Sequence, residues 1–315
     1  MREAEVAEVA RWLWHGVDPG DWSREALEPP AAGRAQWVAV GEHEQRFAGE
    51  RRHRALTVAL PLDGERAGAL PLDGERAGAF RRHAEVVEAT IGRADSVGSH
   101  GPVGPWYERS PDWGAPFLRW RRPGAESLEL RATVTGAELC LQPTEPYEEW
   151  RHAAFESGEP SHLPGGFVVD YPKAANEGLS TPGGWRAPRW AALPGLLAPF
   201  LRTLPAETYA IGRSVGVTAV GGNRPVLAIH SAERLTVEGW FKHFSPDEGL
   251  GWSQRIERTV RLWTLDAGGP GEVDGDGLAR HLVDVFKAEK VSMAKLRKHV
   301  HGPESAHTVL LGLGF

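Results

Sequence analysis

Apolar residues occupy every second position from 128 to 134, with polar residues between them. This period of two predicts a strand with one face on a core and the other face in water. The runs at 117–121 and 138–142 lie on either side, and Pro123-Gly124 and Thr135-Gly136 separate them from it. We therefore predict a three-stranded antiparallel meander.

Helical and strand patterns around the meander complete a first lobe. Apolar residues recur at helical spacing in 3–15 and again in 79–91. Residues 36–40 and 56–60 are apolar strand candidates, joined by a charged segment, and Thr144 caps a helix that closes the meander. The predicted order is helix, strand, strand, helix, three strands, helix.

A similar order restarts near Trp190. Apolar spacing predicts a helix over 190–204, although Pro194 and Pro199 lie inside it. An amphipathic helix is predicted over 276–290. The strand candidates between the two helices are 209–211, 215–220, 225–230, 235–240 and 256–265.

Residues 158–188 separate the two patterns. They are rich in Gly, Pro and Ser and predict a linker, broken only by the apolar run 167–169. A chain of 315 residues is also long for a single core. We predict the α+β class with two lobes, residues 1–157 and 189–315, each an antiparallel sheet packed by helices.

One decamer, ALPLDGERAG, occupies residues 59–68 and again 69–78. Identity at every position indicates a recent tandem duplication, and two short copies do not make a solenoid. The Asp-Gly in each copy favours a turn. We predict that one copy connects a strand to a helix and that the other enlarges a surface loop, because loop-closure entropy grows slowly with length.

The net charge of −6 is spread along the chain without a block of one sign. Nucleic-acid binding is not expected, because no basic stripe is available to neutralise several phosphates. Basic residues near the C-terminus are interpreted as a solvated helix end. They are Lys287, Lys290, Lys295, Arg297 and Lys298.

The chain has a single cysteine, Cys140, so no disulfide can form within it. The N-terminus lacks the basic and apolar regions of a secretory signal, and no apolar run reaches the length of a membrane span. We expect a cytoplasmic protein that does not enter a membrane.

Tryptophan is abundant, at 13 residues, and several tryptophans adjoin Arg or Pro. They can form half-buried lids over small cores or an aromatic cage for a ligand. The candidate partner-binding residues are Trp106, Trp113, Trp120, Arg121, Trp185, Trp190 and Trp240.

Candidate sites for chemistry each have a structural alternative. His43 and His53 lie in an acidic segment without the His-Glu-x-x-His spacing of zinc enzymes. Asp274 and Asp276 look like the start of a calcium loop but suit the cap of a helix better. The C-terminal histidines would need a nearby carboxylate or thiolate to hold a metal. They are His299, His301 and His307.

Cys140 lies in the middle of a predicted strand, where a lone cysteine is usually packed and inert. The sequence contains no Gly-x-Ser-x-Gly elbow and no phosphate-binding glycine loop before a helix. We therefore predict no catalytic residue, no metal site and no cofactor.

Several segments share the apolar pattern of one family. They are the strand-turn-strand of 224–238, the segment with Trp252 and Trp263, and residues 277–286. Together they resemble the lobes of actinobacterial proteins related to type III secretion chaperones, the TY-Chap-type domains. Residues 118–150 are similar to uncharacterised actinobacterial proteins associated with immunity or secretion. The resemblance implies an α+β protein that binds a partner and has no catalytic residues.

The leading hypothesis is a cytosolic, non-catalytic protein that binds a protein partner, as an immunity protein or a secretion chaperone does. One alternative is an enzyme of unrecognised type with a site between the lobes. That site would combine the Trp- and Arg-rich segment 106–122 with the histidines of 281–307. A second alternative is a structural subunit of a larger assembly.

Overall fold

The structure is a computed structural model. It describes residues 2–17, 38–45, 51–62, 72–101, 110–122, 126–144, 166–170, 187–246, 251–257, 260–303, 307–310 and 313. The helices in these residues are α1 (Glu3–Arg11), α2 (Leu72–Ile91), α3 (Leu193–Ile211) and α4 (Gly275–Ala288). A π-helical turn, Trp12–Gly16, extends α1. None of the described helices is both long enough and apolar enough to cross a membrane.

The strands of the first half are β1 (Val38–Gln45), β2 (Arg51–Leu60), β3 (Ser96–Ser99), β4 (Pro116–Arg121), β5 (Glu126–Thr133), β6 (Gly136–Pro143) and β7 (Phe167–Asp170). Those of the second half are β8 (Val215–Gly221), β9 (Arg224–Ser231), β10 (Leu235–Gly239), β11 (Trp252–Glu257), β12 (Val260–Gly268), β13 (Leu296–His301) and β14 (His307–Leu310).

These strands form two antiparallel sheets. The first has eight strands in the order β1-β2-β6-β5-β4-β3-β7-β14, and the second has six in the order β11-β12-β10-β9-β8-β13. The predicted meander is the β4-β5-β6 part of the first sheet. The predicted α+β class with two sheet lobes is confirmed.

The two lobes repeat one topology. In the first, α2 leads into β3, β4, β5 and β6, and β7 returns beside β3. In the second, α3 leads into β8, β9, β10 and β12, and β13 returns beside β8. The lobes differ next to the fourth strand of each repeat: the β1-β2 hairpin lies outside β6, whereas the single strand β11 lies outside β12.

Helix α3 joins the lobes. It packs against α2 and α4 and also contacts β3 and β4 of the first sheet and β9 and β10 of the second. A helix that is apolar on most sides needs cover on most sides, and the two lobes accordingly share one continuous core. The helix runs past its predicted end at Leu204 to Ile211, so the strand predicted over 209–211 is wrong.

The two copies of the decamer differ at an equivalent residue that the structure describes in both. Leu62 of the first copy follows β2 outside any helix, whereas the equivalent Leu72 of the second copy begins α2. The prediction that the helix starts at Ala79 is therefore wrong, because α2 begins at Leu72. The same local sequence can thus occur inside and outside a helix, because intrinsic propensity is only a weak determinant.

The predicted linker contains a strand of the first sheet. β7 lies within 158–188 and pairs with β3 on one side and β14 on the other. Because β14 comes from the C-terminal segment, the region predicted as the second lobe, 189–315, also contributes a strand to the first sheet. The predicted linker and the predicted second lobe thus each contribute a strand to the first sheet, so the two lobes are not consecutive segments of the chain.

Several other helices and strands have ends that differ from the predicted ones. The described parts of the charged segment predicted to connect two strands, residues 42–45 and 51–54, belong to those strands, since β1 pairs with β2 from Val38↔Val58 to Gln45↔Arg51. Residues 256–265, predicted as one strand, are split between β11 and β12. The helix predicted over 276–290 is confirmed as α4. Arg297 and Lys298 lie in β13 and not at a helix end.

Candidate functional site

A charged network is buried on the meander face that the alternation assigned to water. Arg119 of β4 lies opposite Glu129 of β5, and its Nη2 and Nε atoms lie 2.6 Å and 3.1 Å from Glu129 Oε2. His100, which follows β3, places its Nε2 3.1 Å from Glu129 Oε1. The side chains of Arg119 and Glu129 are 0% exposed. The prediction of one wet face is therefore wrong.

Burial and ion pairing act in opposite directions on Glu129. Desolvation favours the neutral acid, but the Arg119 guanidinium and the hydrogen bond with His100 lower the pKa of Glu129 to about 2. Burial lowers the pKa of His100, whose ring stacks on Phe117 with 4.3 Å between centroids. At neutral pH the network holds a carboxylate, a guanidinium and a neutral imidazole.

Further polar side chains line the same strands. Arg131 Nη2 lies 2.6 Å from Glu138 Oε1, across the β5-β6 pair. Cys140 is 0% exposed, and its Sγ lies 3.6 Å from Gln142 Oε1. The interpretation of Cys140 as a packed residue is confirmed.

A second buried carboxylate connects α3 to the first sheet. Ser99 Oγ donates a hydrogen bond to Glu207 Oε1 at 2.6 Å, and the backbone N–H of Ala115 donates another at 3.0 Å. Gly114 makes room for this carboxylate, since a Cβ there would lie 2.4 Å from Glu207 Cγ. Desolvation outweighs the hydrogen bonds and raises the pKa of Glu207 to about 7.

Glu129 and Glu207 are held on opposite faces of the first sheet. Pairs of groups whose pKa values are pushed apart often mark an acid and a base. Here Ser99 and His100, consecutive residues at the end of β3, hold Glu207 and Glu129 respectively. Consecutive residues of an extended strand point to opposite faces. The arrangement therefore favours a structural role for both carboxylates.

The predicted inter-lobe site is not assembled by the described residues. His281 of α4 accepts a hydrogen bond from Trp252 Nε1 at 2.9 Å, inside an aromatic cluster with Phe241 and Phe244. His299 and His301 are exposed on β13 instead. The side chain of His307 is outside the described part of the chain.

No group of three or more His, Cys, Asp or Glu among the described residues could hold a metal ion. Asp274 caps α4, since its Oδ1 accepts the N–H of Gly277 at 2.9 Å, so the cap interpretation is confirmed. His43 and His53 are paired in the register of β1 and β2, but their side chains lie outside the description. A cavity of about 480 Å³ lies between α1 and α2. Its lining consists of Arg2, Glu3, Ala4, Pro61, Ala79, Arg82 and His83.

Two of the candidate partner-binding tryptophans are core residues. Trp113 and Trp120 are each 2% exposed. Trp113 packs edge-on against Phe80, and Trp120 Nε1 donates a hydrogen bond to the carbonyl of Gly92 at 2.7 Å. The prediction that Trp113 and Trp120 contact a partner is wrong, because neither presents a surface.

The other candidates divide into half-buried and undescribed residues. Trp190 stacks on Phe286 of α4 with 6.1 Å between ring centroids. Trp240 and Arg121 are half-buried, and their backbone N–H groups bind neighbouring strands or loops. A partner-binding role for these three stays a prediction. Trp106 and Trp185 lie outside the described residues.

Glu289 fixes the segment after β10. It follows α4, is 4% exposed, and its Oε2 pairs with Arg224 Nη2. Its Oε1 accepts the backbone N–H groups of Lys242, His243 and Phe244 at 2.7–2.9 Å. Burial acts to raise the pKa of Glu289, but these hydrogen bonds and Arg224 lower it. The ionised carboxylate is therefore the form that holds the segment.

Replacing Glu289 with glutamine should destabilise the protein by about 2 kcal/mol, because the charged acceptor of several hydrogen bonds is lost. The amides of Lys242, His243 and Phe244 should exchange with deuterium at least about tenfold faster. The matched control is Glu272→Gln, since Glu272 also accepts a backbone N–H, from Gly269, but is 48% exposed. Unchanged deuterium exchange at 242–244 in Glu289→Gln would contradict the role of Glu289 in holding this segment.

Strand β11 is the outer edge of the second sheet within the described chain. Ile256 is 73% exposed, and only Val134, at 54%, is a comparable exposed large hydrophobic residue in the described part. Natural edge strands are commonly guarded by charged residues or Pro; β11 contains no Pro, and its charged residues are Arg255 and Glu257. The open part of this edge is thus at Ile256, since Trp252 of the same strand is 2% exposed.

The chain matches no protein-family model, no curated protein and no solved structure. The resemblance to TY-Chap-type domains accordingly stays an expectation from sequence.

Proposed function

We propose that the protein acts by binding a protein partner, and that the partner adds a strand to β11. The observation that carries the proposal is Ile256, 73% exposed on a strand with no described neighbour on its outer side. Strand addition uses the backbone N–H and C=O groups of an edge for affinity and the adjoining side chains for specificity.

The faces of β11 support this surface. Arg255 lies on the face away from the helices, where its Nη2 is 2.9 Å from Glu238 Oε1. Trp252 and Ile256 lie on the opposite face, and their exposures differ. Trp252 is 2% exposed within the core, whereas Ile256 is 73% exposed. On that face Ile256 lies opposite the exposed Arg261 of β12, so it is a single exposed apolar side chain at the edge of the sheet.

The charged groups of the first lobe favour binding over catalysis. Arg119, Glu129 and His100 are buried and bind one another. A catalytic constellation would instead present such groups to a substrate in a concave pocket. Within the interaction class, the family resemblance favours a cytoplasmic immunity protein or secretion chaperone.

Isothermal titration of the purified chain against the proteins encoded by neighbouring genes tests the proposal. We expect one of them to bind with a dissociation constant of about 1 μM or tighter. Ile256→Lys should weaken this binding at least about tenfold, because it places a charge on the apolar side of the edge. Val134→Lys is the matched control and should leave the affinity unchanged. Binding that is equally insensitive to both substitutions would contradict the role of β11.

A further inference from the structure

Strand β11 is tied to α4 by a hydrogen bond that requires a neutral histidine. Trp252, the first residue of β11, places its indole Nε1 2.9 Å from Nε2 of His281. An indole nitrogen can only donate, so Nε2 of His281 must carry a lone pair and the ring proton must lie on Nδ1. An imidazolium donates from both nitrogens and would set two donors against each other. The contact therefore exists only while His281 is unprotonated.

The surroundings of His281 favour its neutral form. The ring is half-buried and lies edge-on to Phe244, with 5.8 Å between ring centroids. Burial lowers the pKa of His281 below its ordinary value of 6.5, whereas the carboxylate of Asp284 acts to raise it. Lys287 counteracts that carboxylate, since its Nζ lies 3.2 Å from Asp284 Oδ1. Proton binding at His281 is thus shifted to a pH below 6.5.

In the described part of the chain, the other two elements that pack on His281 present aromatic rings to it. The segment after β10 presents Phe244, and β11 presents Trp252. Lys242 and His243, which precede Phe244, are exposed, and Arg255 lies on the opposite face of the sheet. Burial and Asp284 therefore decide the protonation state of His281.

Trp252 is the anchor of a short strand. β11 has six residues, and β12 is its one neighbour among the described strands. Trp252 lies opposite Leu265 of β12, is 2% exposed, and packs edge-on against Phe241. If His281 no longer accepts its N–H, the buried indole keeps a donor without an acceptor, which is costly. The start of the strand would then be held less firmly.

We propose, building on the proposed function, that His281 is a pH-sensitive switch: its protonation breaks the hydrogen bond with Trp252, loosens the start of β11 and weakens binding of the partner strand. The folded chain binds this proton less readily than the unfolded chain. The stability that neutral His281 contributes is therefore complete above about pH 6.5 and is lost as the pH falls through the lower, folded pKa.

Amide exchange tests the switch in the chain alone. Glutamine offers Trp252 an oxygen acceptor and does not titrate, so His281→Gln should keep the contact at every pH. The β11 amides that bond to β12 should be equally protected in the two proteins at about pH 7.5. At about pH 5 they should be at least about fivefold less protected in the wild type. Equal protection at about pH 5 would overturn the inference.

The matched control is His299→Gln, because His299 is exposed on β13, at the other edge of the same sheet. This variant should lose β11 protection at about pH 5 as the wild type does. A second measurement needs no substitution. In nuclear magnetic resonance spectra of the wild type, the His281 ring and the Trp252 indole N–H should titrate with one midpoint, below pH 6.5. An indole resonance that does not follow His281 would overturn the switch.

Binding measured at the two pH values separates this inference from the proposed function. Between about pH 7.5 and about pH 5, the affinity for a partner that binds through Ile256 should fall at least about fivefold more in the wild type than in His281→Gln. An equal fall in the two proteins would overturn the inference and leave the proposed function standing. A switch seen by amide exchange in a chain without an Ile256-dependent partner would support the switch and contradict the proposed function.

Discussion

Replacing Arg119 with methionine is expected to lower the free energy of unfolding by about 3–5 kcal/mol, because it leaves Glu129 buried without its cation. Both hydrogen bonds from the guanidinium to Glu129 Oε2 are lost, and His100 remains as a neutral donor on the other oxygen. Domains are typically stable by only about 5–15 kcal/mol, so the loss is a large fraction. Urea denaturation followed by circular dichroism measures it.

Replacing Glu129 together with Arg119 distinguishes the cost of an unpaired buried charge from the cost of lost packing. Adding Glu129→Leu to Arg119→Met should recover most of the stability, since apolar residues often replace a buried ion pair without loss. The exposed pair of Arg202 and Asp276 provides the control. Arg202→Met should change the stability by less than about 1 kcal/mol. An Arg119→Met variant as stable as Arg202→Met would contradict a buried network.

The meander could be predicted from local pattern, and its charged interior could have been found by one further step. In an antiparallel meander with these turns, Arg119 faces Glu129 and Arg131 faces Glu138. Opposite charges in directly opposed positions are a signal of pairing. Alternation alone indicates two unlike faces, but it does not indicate whether the polar face is covered.

The contacts of α3 could not be predicted in the same way. Glu207 lies beyond the predicted end of that helix, and its partner Ser99 is 108 positions away in the sequence. Pro199 and Pro205 both lie inside the helix, and burial on most sides outweighs their cost. Tertiary packing decides such cases, and a single sequence does not show it.

The topology that the two lobes repeat could be predicted from the sequence only in part. The recurring order of helix, strands and helix was visible in the sequence, but β7 occurs inside a segment with linker composition. β7 lies beside β3 and completes the first repeat. The strand order that the two lobes share is therefore visible only from the hydrogen-bonded pairing of the strands. The edge at β11 likewise depends on the insertion of one hairpin in the second lobe.

Replacing Glu207 with glutamine is expected to stabilise the protein at alkaline pH. Burial raises the pKa of Glu207 from 4.5 to about 7, so the folded state holds a proton that the unfolded state has released. The wild type therefore loses stability as the pH rises from the unfolded pKa through the folded pKa. Glutamine keeps an oxygen acceptor for Ser99 and Ala115 and never becomes charged.

The difference between the two proteins should be small at about pH 5 and should approach about 3 kcal/mol in favour of Glu207→Gln at about pH 9. Urea midpoints across this range measure it. Glu233→Gln is the control, because Glu233 is 70% exposed in its pair with Arg81 and should give a nearly flat difference. A stability difference that does not change with pH for Glu207→Gln would contradict the raised pKa and would mean that Glu207 is ionised across this range. Since Glu207 ties α3 to the first sheet, the contact between the lobes would then not depend on a proton.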